Sequence, residues 1–555
     1  MRKQDDYDYG LRQGIFGDLN IWQVGVAVLL AVLGLSLYAI VQFQGVRDPA
    51  AMEQAHIARQ LANGEGFTTQ VMRPFDLWLI GLTPEEMPES IPALWHAPLY
   101  PHVLSRLFRF MRLDTVFTGR GVLMPEARAM VPLGIVLLIL TSMIIWLLAS
   151  SCFDERVARL AFVVLLVSPI SLQIMLSGGA LALAMFLSAL SAYLAWLAID
   201  SSFQAPHVWR VLLFSALAGI LSGLLFLAHY AALLVGVGLL VWLALNLQRL
   251  RRIAVSLFAA TMLVIVLPRL GMHREAGWWG LAAYPYGALL DTTMFSADSL
   301  LRDGDPVLRN WQVLQAIRDG IAARYMDFFT GRSLLGAGVI FIFFVAGLFG
   351  REERHWNQHA KWIVAGILFL LPVFPPVVGC PYGHWPVLFP LMVILGAQCF
   401  MRILDQEDFF DVGVRPVLFG FLVALCVLPS AIGLVQRDAS SPYPPYHGPL
   451  QAYAAQWLPR DEVLLTDIPW ATAWYGQQPS LLWPKSVEDA EAYLASLGGI
   501  YLADSAIQLP GTDPGWIYMR QEGVVPESLP FRTGLFLPAG ERGQILLLPE
   551  MPESD

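Results

Sequence analysis

The sequence predicts an α-helical polytopic membrane protein of about eleven transmembrane helices, with a small C-terminal α/β domain. Three observations indicate this class. Of the 555 residues, 56% are hydrophobic and only 14% are charged, and the mean hydropathy of +0.56 is far above that of a soluble domain. Eleven apolar segments approach the roughly 20 residues that a spanning helix needs. Beyond residue 436, short strand patterns alternate with helix patterns.

The eleven segments divide the chain into three regions. Residues 1–20 form a polar tail, residues 21–435 a transmembrane domain with long outside loops at 44–130 and 269–332, and residues 436–555 the α/β domain. The apolar run after residue 20 is too long for a cleaved signal, so we expect it to remain as the first span. The segments lie at about 22–43, 131–150, 160–176, 180–199, 211–228, 230–247, 253–268, 334–350, 362–378, 385–401 and 416–435.

Two long stretches are each predicted to form a pair of helices. Residues 160–199 and 211–248 contain no Asp, Glu, Lys or Arg, and each is long enough to cross a membrane twice. Their turns are predicted at Ser177–Gly179 and at Ala228–Tyr230.

The basic residues of the short loops predict the orientation. Cytoplasmic loops carry an excess of Lys and Arg. With eleven spans, the basic pairs Arg156/Arg159 and Arg402/Arg415 and the run 249–252 all fall on the side of the N-terminal tail. We therefore expect a multi-pass protein of the cytoplasmic (inner) membrane, with its N-terminus inside and its C-terminus outside.

The first outside loop begins with a predicted short helix. Asp48 suits the N-cap and Pro49 the first turn, alanines recur at 51, 55, 58 and 62, and Asn63-Gly64 ends the pattern. We expect this helix to lie on the membrane surface.

Two carboxylates on this helix are candidate general bases. Asp48 comes shortly after the first span, where a low dielectric raises a carboxyl pKa toward neutrality and suits it to accept a proton from a hydroxyl group. Its alternative role is that of a helix N-cap. Glu53 follows five residues later on a different side of the helix, so that one carboxylate faces a substrate while the other meets solvent.

Several basic side chains are candidate phosphate ligands. A guanidinium binds phosphate oxygens with paired donors, which favours Arg59 and Arg73, although an arginine at this depth also fits an interfacial role. His96, in the rigid stretch Trp95–Pro101, and His384, in the outside turn Cys380–Pro386, are further candidate donors or cations.

Other classes of site have little support in the sequence. The four cysteines, Cys152, Cys380, Cys399 and Cys426, show no metal-ligand spacing. The net charge of −9 is explained by solvated tails and loops, and we predict no nucleic-acid binding. Ionisable groups are almost absent from the spans, His229 being an exception near an outside end, which disfavours proton- or ion-coupled transport.

The last 120 residues predict a small α/β fold on the outer face. Residues 462–467, 480–483, 499–503 and 544–548 have strand patterns, whereas 469–475 and 487–497 have helix patterns. Strands that alternate with helices form a sheet covered by helices.

The order of these parts resembles the GT-C class of integral-membrane glycosyltransferases, in particular the relatives of protein mannosyltransferases and of aminoarabinose transferases. The likeness is carried by Ile57–Thr69, Arg73-Pro74, Pro98–Pro101, Tyr284-Pro285 and the stretch from His384 to Pro390. It covers roughly residues 20–435, and the tail from Trp457 to Ala503 is similar to the outer domain of such proteins.

The resemblance implies transfer of a sugar from a polyprenyl-phosphate donor to a hydroxyl acceptor on the outer side of the bilayer, with inversion at the anomeric carbon. An acid of the first loop acts as base; Asp48 and Glu53 flank the position where the family carries its acidic pair, so both are candidates. Arg59, Arg73, His96, Tyr100 and His384 are expected to bind substrate. No cofactor or metal is expected, the lipid-linked sugar being a substrate, and the acceptor is a lipid, a polysaccharide or a protein.

Two other functions remain as alternatives. A polytopic chain of this kind also fits a lipid or polysaccharide transporter or flippase. The third possibility is a non-catalytic assembly partner with the GT-C fold.

Overall fold

The structure is a computed structural model of the 555-residue chain. It describes residues 21–43, 45–46, 48–80, 82–83, 87–93, 95–113, 125–203, 208–271, 322, 338–350, 355–373, 383–406, 414–435, 458–459, 462–484, 487–503, 514–526, 529–537 and 544–549. The motif Tyr284-Pro285 and residue Cys380 lie outside these residues.

Helices, most of them apolar, predominate among the described residues up to Val435. The helices are α1 (Ile21–Gln42), α2 (Pro49–Asn63), α3 (Pro74–Leu79), α4 (Leu99–Met111), α5 (Pro125–Cys152), α6 (Glu155–Val167), α7 (Pro169–Ser177), α8 (Leu181–Phe203), α9 (Val208–Ala228), α10 (Leu233–Asn246), α11 (Arg251–Gly271), α12 (Val339–Phe349), α13 (His355–Leu370), α14 (Phe389–Gln406) and α15 (Arg415–Val435).

Each of the eleven predicted spans overlaps at least one helix, but fewer helices have the length and composition of a complete span. Among the described residues, six helices are long and apolar enough to cross a membrane, and the number is seven if α6 and α7, bent by 51° at their break, are counted as one span. Three shorter apolar helices cover Val28–Gln42, Tyr230–Asn246 and Val339–Phe349. The protein is therefore a helical protein with several candidate membrane spans.

Small residues allow the helices of the bundle to pack closely. A Cβ atom added to Gly219 of α9 would lie 2.4 Å from the carbonyl oxygen of Phe258 in α11. The Thr261 hydroxyl of α11 donates to the carbonyl oxygen of Ala216, 3.2 Å away. Small residues at helix contacts are typical of membrane bundles, because lipid offers no hydrophobic driving force for association.

Helix α2 begins and ends where the sequence predicts. Asp48 is its N-cap and accepts a hydrogen bond from the Ala50 amide, and Gly64 follows it with φ of 90° in the left-handed region. The helix is covered by protein, because every residue from Pro49 to Gln60 is buried, and its expected position at the membrane surface stays a prediction. Its alanines allow close approach by α4, and protein groups rather than water bind its polar side chains.

Five strands of the C-terminal region belong to a six-stranded sheet, and the sixth strand comes from the first loop. Strands β4 (Val463–Thr466), β5 (Ser480–Leu482), β6 (Leu497–Leu502), β7 (Phe531–Leu537) and β8 (Gln544–Pro549) are present, four of them where the sequence predicts strands. The intervening helices are α16 (Pro469–Ala471), which continues as a π turn to Gly476, α17 (Val487–Ala490) and α18 (Pro514–Glu522).

The first loop supplies one edge of this sheet. The strand order is β2-β5-β4-β6-β8-β7, where β2 is Val71–Met72 of the first loop. Strands β2, β5, β4 and β6 run parallel, and β8 and β7 are antiparallel additions. The remaining strands, β1 (Thr68–Thr69) and β3 (Ile91–Pro92), pair with each other. The C-terminal sheet and the first loop are therefore one structural unit.

Candidate active site

Asp48 is a buried carboxylate at the start of α2. Its Oδ1 accepts a hydrogen bond from the Ala50 amide over 3.0 Å, and 5% of the residue is exposed. Among the described residues, no cationic side chain forms an ion pair with it. Burial raises the pKa of Asp48 to about 7, although the Ala50 and Ala51 amides oppose the shift. A carboxyl with this pKa is suited to exchange a proton near neutral pH.

Asp48 lies at a cleft between α2 and the ends of the bundle helices. The cleft contains about 470 Å³ of empty space, part of it open to solvent. Its lining residues are Asp48, Ala50, Gln54, Trp95, His96, Ala97, Ala180, Leu181, Ala228, His229, Tyr230 and His384. The cleft thus combines one carboxylate, three histidines and a mostly apolar wall, which is the composition of a small-molecule site.

A tight turn before α8 forms the wall beside Asp48. Gly178 has φ of 70°, and a Cβ atom added to Gly179 would lie 3.4 Å from Asp48 Oδ2. Gln54 of α2 holds this turn, since its Oε1 accepts a hydrogen bond from the Ala180 amide over 3.0 Å. The Tyr100 hydroxyl donates to the Gly178 carbonyl oxygen, 2.5 Å away. Tyr100, predicted to bind substrate, instead fixes the wall of the cleft.

Two histidines from distant turns meet at the opposite wall. His384 Nδ1 and His229 Nε2 are 2.8 Å apart, and the ring centroids are 4.8 Å apart. Burial, followed by the proximity of His384 and His96, holds the pKa of His229 well below its usual range. The structure places His384 in the lining of the cleft, and its predicted binding of substrate stays a prediction.

Glu53 is tied into a buried ion pair. Arg73 Nη1 donates to Glu53 Oε1 over 3.2 Å and Arg73 Nη2 to Oε2 over 2.6 Å, and Glu53 is 2% exposed. Burial alone would raise the pKa of this carboxyl, but the Arg73 and His96 contacts outweigh burial and hold it far below its usual range. The expectation that one carboxylate meets solvent is corrected, because both are buried and Glu53 meets Arg73.

His96 lies between Glu53 and the cleft. Its Nε2 is 3.1 Å from Glu53 Oε2, and its Nδ1 is 3.3 Å from Gln54 Nε2. Because the Ala180 amide already fixes the orientation of the Gln54 side chain, the Gln54 nitrogen must donate to His96 Nδ1. His96 also lines the cleft, and its predicted role as a phosphate donor stays a prediction.

Asp76 extends the Glu53 ion pair into a network. Arg73 Nη1 lies 3.5 Å from Asp76 Oδ2, and the Trp95 indole N–H donates to Asp76 Oδ1. Burial raises the pKa of Asp76 to about 6 although Arg73 and Trp95 lower it. The Arg73 guanidinium lies over the Trp95 ring at 5.2 Å. Arg73, predicted to bind phosphate, is the shared cation of two buried carboxylates.

Arg59 contacts the C-terminal region rather than the cleft. Its Nη1 donates to the Trp474 carbonyl oxygen over 2.7 Å and its Nη2 to the Ala473 carbonyl oxygen over 2.6 Å. The guanidinium also lies 5.0 Å from the centre of the Trp474 ring. The predicted role of Arg59 as a phosphate ligand is corrected: it joins α2 to the turn after α16.

Arg269 is a cation near the cleft that the sequence analysis did not select. It lies in the last turn of α11 and is 6% exposed. Its Nε donates to the Tyr230 hydroxyl over 3.0 Å, and this hydroxyl donates to the His96 carbonyl oxygen over 3.1 Å. Its guanidinium lies 5.0 Å from the centre of the Phe67 ring.

Arg269 also has one nitrogen without a hydrogen-bond partner in the part of the chain that the structure describes. Arg269 Nη2 is buried and has no hydrogen-bond partner among the described residues. The sequence could have indicated this residue. Arg269 is a basic residue at the end of a predicted span, and the charges of the short loops predict that this end lies outside. The residues that the structure describes contain no group of three His, Cys, Asp or Glu side chains arranged to hold a metal ion.

Solved structures share this architecture. The archaeal oligosaccharyltransferase AglB from Archaeoglobus fulgidus, in complex with an inhibitory peptide and a dolichol-phosphate, matches with a TM-score of 0.56 and 13% identity, over 95% of this chain and 77% of its own. ArnT from Cupriavidus metallidurans, bound to undecaprenyl phosphate, matches with a TM-score of 0.52 and 12% identity, over 95% of this chain and 98% of its own. The apo state of ArnT matches with a TM-score of 0.51.

The comparison by sequence has a different outcome. Neither a family sequence model nor the sequence of a curated protein matches the chain. AglB and ArnT are both GT-C glycosyltransferases. The chain therefore has the fold of these membrane enzymes, as the sequence resemblance predicts, with a sequence that differs widely from theirs.

Proposed function

We propose that this chain is a membrane glycosyltransferase that transfers a sugar from a polyprenyl-phosphate donor to a hydroxyl acceptor at the outer face of the cytoplasmic membrane. The observation that carries the proposal is Asp48, a buried carboxylate with a pKa of about 7 at a cleft of a GT-C fold. An acid with such a pKa is suited to general-base work near neutrality.

The reaction is a single displacement at the anomeric carbon. Asp48 takes the proton from the acceptor hydroxyl while the acceptor oxygen forms its bond to the anomeric carbon. The bond between that carbon and the phosphate oxygen breaks on the opposite side, and its electron pair leaves with the polyprenyl phosphate. The configuration at the anomeric carbon is inverted, and the products are the glycosylated acceptor and the polyprenyl phosphate.

The geometry supports Asp48 rather than Glu53 as the base. Glu53 shares both of its oxygens with Arg73, so its lone pairs are engaged and its pKa is far below its usual range. A base must accept a proton from the substrate, and a carboxylate stabilised in this way is a weak acceptor. Asp48 lies at the cleft without a cationic partner among the described residues.

Arg269 is the best supported ligand of the leaving phosphate. Its buried Nη2 has no partner among the described residues, and its Nε binds Tyr230, which lines the cleft. A guanidinium stabilises developing negative charge on a phosphate oxygen. His229 and His384 line the same cleft and supply further hydrogen-bonding groups. The lipids in the AglB and ArnT structures, a dolichol-phosphate and an undecaprenyl phosphate, support a polyprenyl phosphate as the lipid part.

We further propose eleven spans with the cleft and the C-terminal sheet outside. Asp405 near the end of α14 binds Arg156 at the start of α6 over 2.9 Å and Arg415 at the start of α15 over 3.4 Å, so these predicted inside loops meet at one end of the bundle. His384, just before α14, lines the cleft at the other end. The 18 residues of α14 separate the two ends by about 27 Å at 1.5 Å per residue, close to the thickness of a bilayer core.

The test is a transfer assay with a carboxamide at position 48. Purified protein in proteoliposomes is incubated with radiolabelled polyprenyl-phosphate monosaccharides and a cell-envelope extract as acceptor. We expect labelled product with the natural chain and a fall of kcat by about 10²–10⁴ for Asp48→Asn, the usual contribution of a general base. Because asparagine is as good an N-cap as aspartate, this variant should keep α2 intact.

Asp154→Asn is the matched control. Asp154 is also a helix N-cap, accepting a hydrogen bond from the Val157 amide over 2.9 Å, but it lies at the other end of the bundle. Full activity of Asp48→Asn would contradict the assignment of the base. Movement of labelled lipid without any sugar transfer would favour a transporter, and no binding or consumption of any donor would favour an assembly partner.

A further inference from the structure

Two contacts join α2 to the C-terminal region, and they adjoin each other, since Arg59 Nη2 of the second lies 2.7 Å from His56 Nδ1 of the first. In the first, strand β2 pairs with β5 at Val71 and Ser480. The Ser480 amide donates to the Gln70 carbonyl oxygen over 2.8 Å, and the Gln70 amide donates to His56 Nε2 of α2 over 3.0 Å. A continuous hydrogen-bond path therefore runs from the edge of the sheet to the middle of α2.

The second contact is made by Arg59, one turn further along α2. Its two terminal nitrogens bind the Ala473 and Trp474 carbonyl oxygens in the π turn that follows α16. The turn ends at Gln477, whose φ of 56° is left-handed. Carbonyl groups at such an end lack amide partners in the helix and carry partial negative charge. A planar guanidinium satisfies two of them at once, which the single ammonium of a lysine does less well.

The same contact is packed from the other side by α4. Phe108 of α4 stacks on Trp474 with ring centroids 6.3 Å apart. The next residue, Arg109, donates to the carbonyl oxygens of Leu61 and Ala62 at the end of α2. Helix α2 is thus held between α4 and the C-terminal region, and a guanidinium lies at each junction.

Arg59 is too far along the helix to act on substrate beside Asp48. The separation of eleven positions between Asp48 and Arg59 corresponds to about 16 Å of helix at 1.5 Å per residue. Any influence of Arg59 on Asp48 must therefore pass through the position of α2 itself.

We propose that Arg59 is a positioning residue, through which the C-terminal α/β region fixes α2 so that Asp48 faces the cleft beside Gly179. This inference rests on the proposed function for its catalytic part and on the structure alone for its mechanical part. The C-terminal region is then part of the active-site framework.

The experiment compares Arg59→Gln, Arg59→Lys and the control Arg156→Gln in the full chain. Arg156 is an exposed arginine that pairs with Asp405, at the other end of the bundle from α2. The first measurement is hydrogen exchange of the α2 amides in purified protein without substrate. The second is kcat, the KM for the donor and the pH profile of sugar transfer.

For Arg59→Gln we expect faster exchange of the amides of α2, and a kcat about 100-fold lower, which is the cost of a misplacement of roughly 1 Å. The KM for the donor should change little. The acid limb of the pH profile should move to lower pH, because a displaced Asp48 gains water and its pKa falls toward the ordinary value. Arg59→Lys should restore part of kcat, and Arg156→Gln should match the natural chain.

Two results would overturn the proposal. One is unchanged exchange of α2 in Arg59→Gln. The other is an Arg59→Gln protein that yields less folded material but keeps kcat per folded molecule and the same acid limb, since that is a purely structural effect. Faster α2 exchange in Arg59→Gln, together with no sugar transfer by the natural chain, would support the mechanical role and contradict the proposed function.

Discussion

Two carboxylates on one helix experience opposite electrostatic environments. Asp48 and Glu53 both lie on α2, five residues apart, and are 5% and 2% exposed. Asp48 has a pKa raised to about 7, whereas the pKa of Glu53 is far below its usual range. The cause is the partner: Arg73 binds Glu53 through two hydrogen bonds, and no described cation pairs with Asp48.

The difference in partners favours a structural role for Glu53 and a chemical role for Asp48. Desolvation disfavours the charged form of any carboxyl group, and a nearby guanidinium reverses the effect. The Glu53 carboxylate thus belongs to a buried polar network with Arg73, His96 and Asp76. Among the described residues, the Asp48 carboxylate has the Ala50 and Ala51 amides and the cleft beside it, and no cation pairs with it. Burial by itself therefore identifies neither role; the set of partners does.

The largest expected effect is on folding and concerns Glu53. Glu53→Gln removes one member of a buried ion pair, which should lower the free energy of unfolding by about 3–5 kcal/mol, because Arg73 keeps a buried charge with less compensation. Thermal unfolding in detergent measures this. The control Glu155→Gln removes an exposed partner of Arg159 and should cost at most about 0.5 kcal/mol. Equal losses in the two variants would contradict the comparison.

The next largest effect is the pH dependence of transfer. If Asp48 is the base, kcat/KM should rise about tenfold per pH unit below pH 7 and level off above it, because only the ionised carboxylate accepts a proton. The profile of kcat/KM between pH 5 and 8.5 measures the midpoint. Glu53 cannot produce this limb, since its pKa lies far below the range. A flat profile would show that the carboxylate that acts is already ionised at pH 5.

Asp48→Asn should make the protein more stable at alkaline pH, by about 1–3 kcal/mol. The pKa of Asp48 is raised in the folded protein, so the folded state holds its proton more tightly than the unfolded state. Stability therefore falls as pH rises from about 4 to about 7, and the full penalty is present above pH 7. Asparagine has no such penalty and keeps the N-cap. Unfolding temperatures of both proteins at pH 4.5 and 8 test this, and the two curves should converge at the lower pH.

The smallest of these effects concerns Arg269. Arg269→Gln should lower kcat by about tenfold, the equivalent of roughly 1.4 kcal/mol, when a charge-assisted contact to a leaving group is lost. The mobility of α11 should be unaffected, since the Tyr230 hydroxyl can bind the glutamine amide. Arg210→Gln, at an exposed position near the start of α9, is the control. An equal activity loss in both variants would remove Arg269 from the site.

The elements governed by local chemistry were predictable. Asp48-Pro49 begins α2 and Asn63-Gly64 ends it, because an N-cap oxygen and a residue with positive φ act within a few positions of the chain. Apolar runs identified the helices of the bundle, and β-branched and aliphatic runs identified β4, β5, β6 and β8. The turns at 177–179 and 228–230 followed from the length of the apolar runs.

The partners of the polar side chains were not predictable. Arg59 binds carbonyl groups 414 and 415 residues away, and His229 meets His384 across 155 residues. The hydrophobic periodicity of a sequence contains no information about contacts between residues so far apart in the chain. A guanidinium can donate the same hydrogen bonds to a phosphate, a carboxylate or a carbonyl oxygen. The presence of an arginine therefore does not indicate which of these groups it binds.

The sequence by itself determined that the chain is a polytopic helical protein and that an acid stands at the start of α2, because hydropathy and helix capping are local properties. Only the tertiary structure decided which partners surround each acid. Arg73, His96 and Asp76 surround Glu53 from other elements, whereas the glycine turn, the histidine pair and Arg269 lie around the cleft of Asp48. A pKa depends on every charge and solvent contact nearby, and these are assembled only when distant segments pack together.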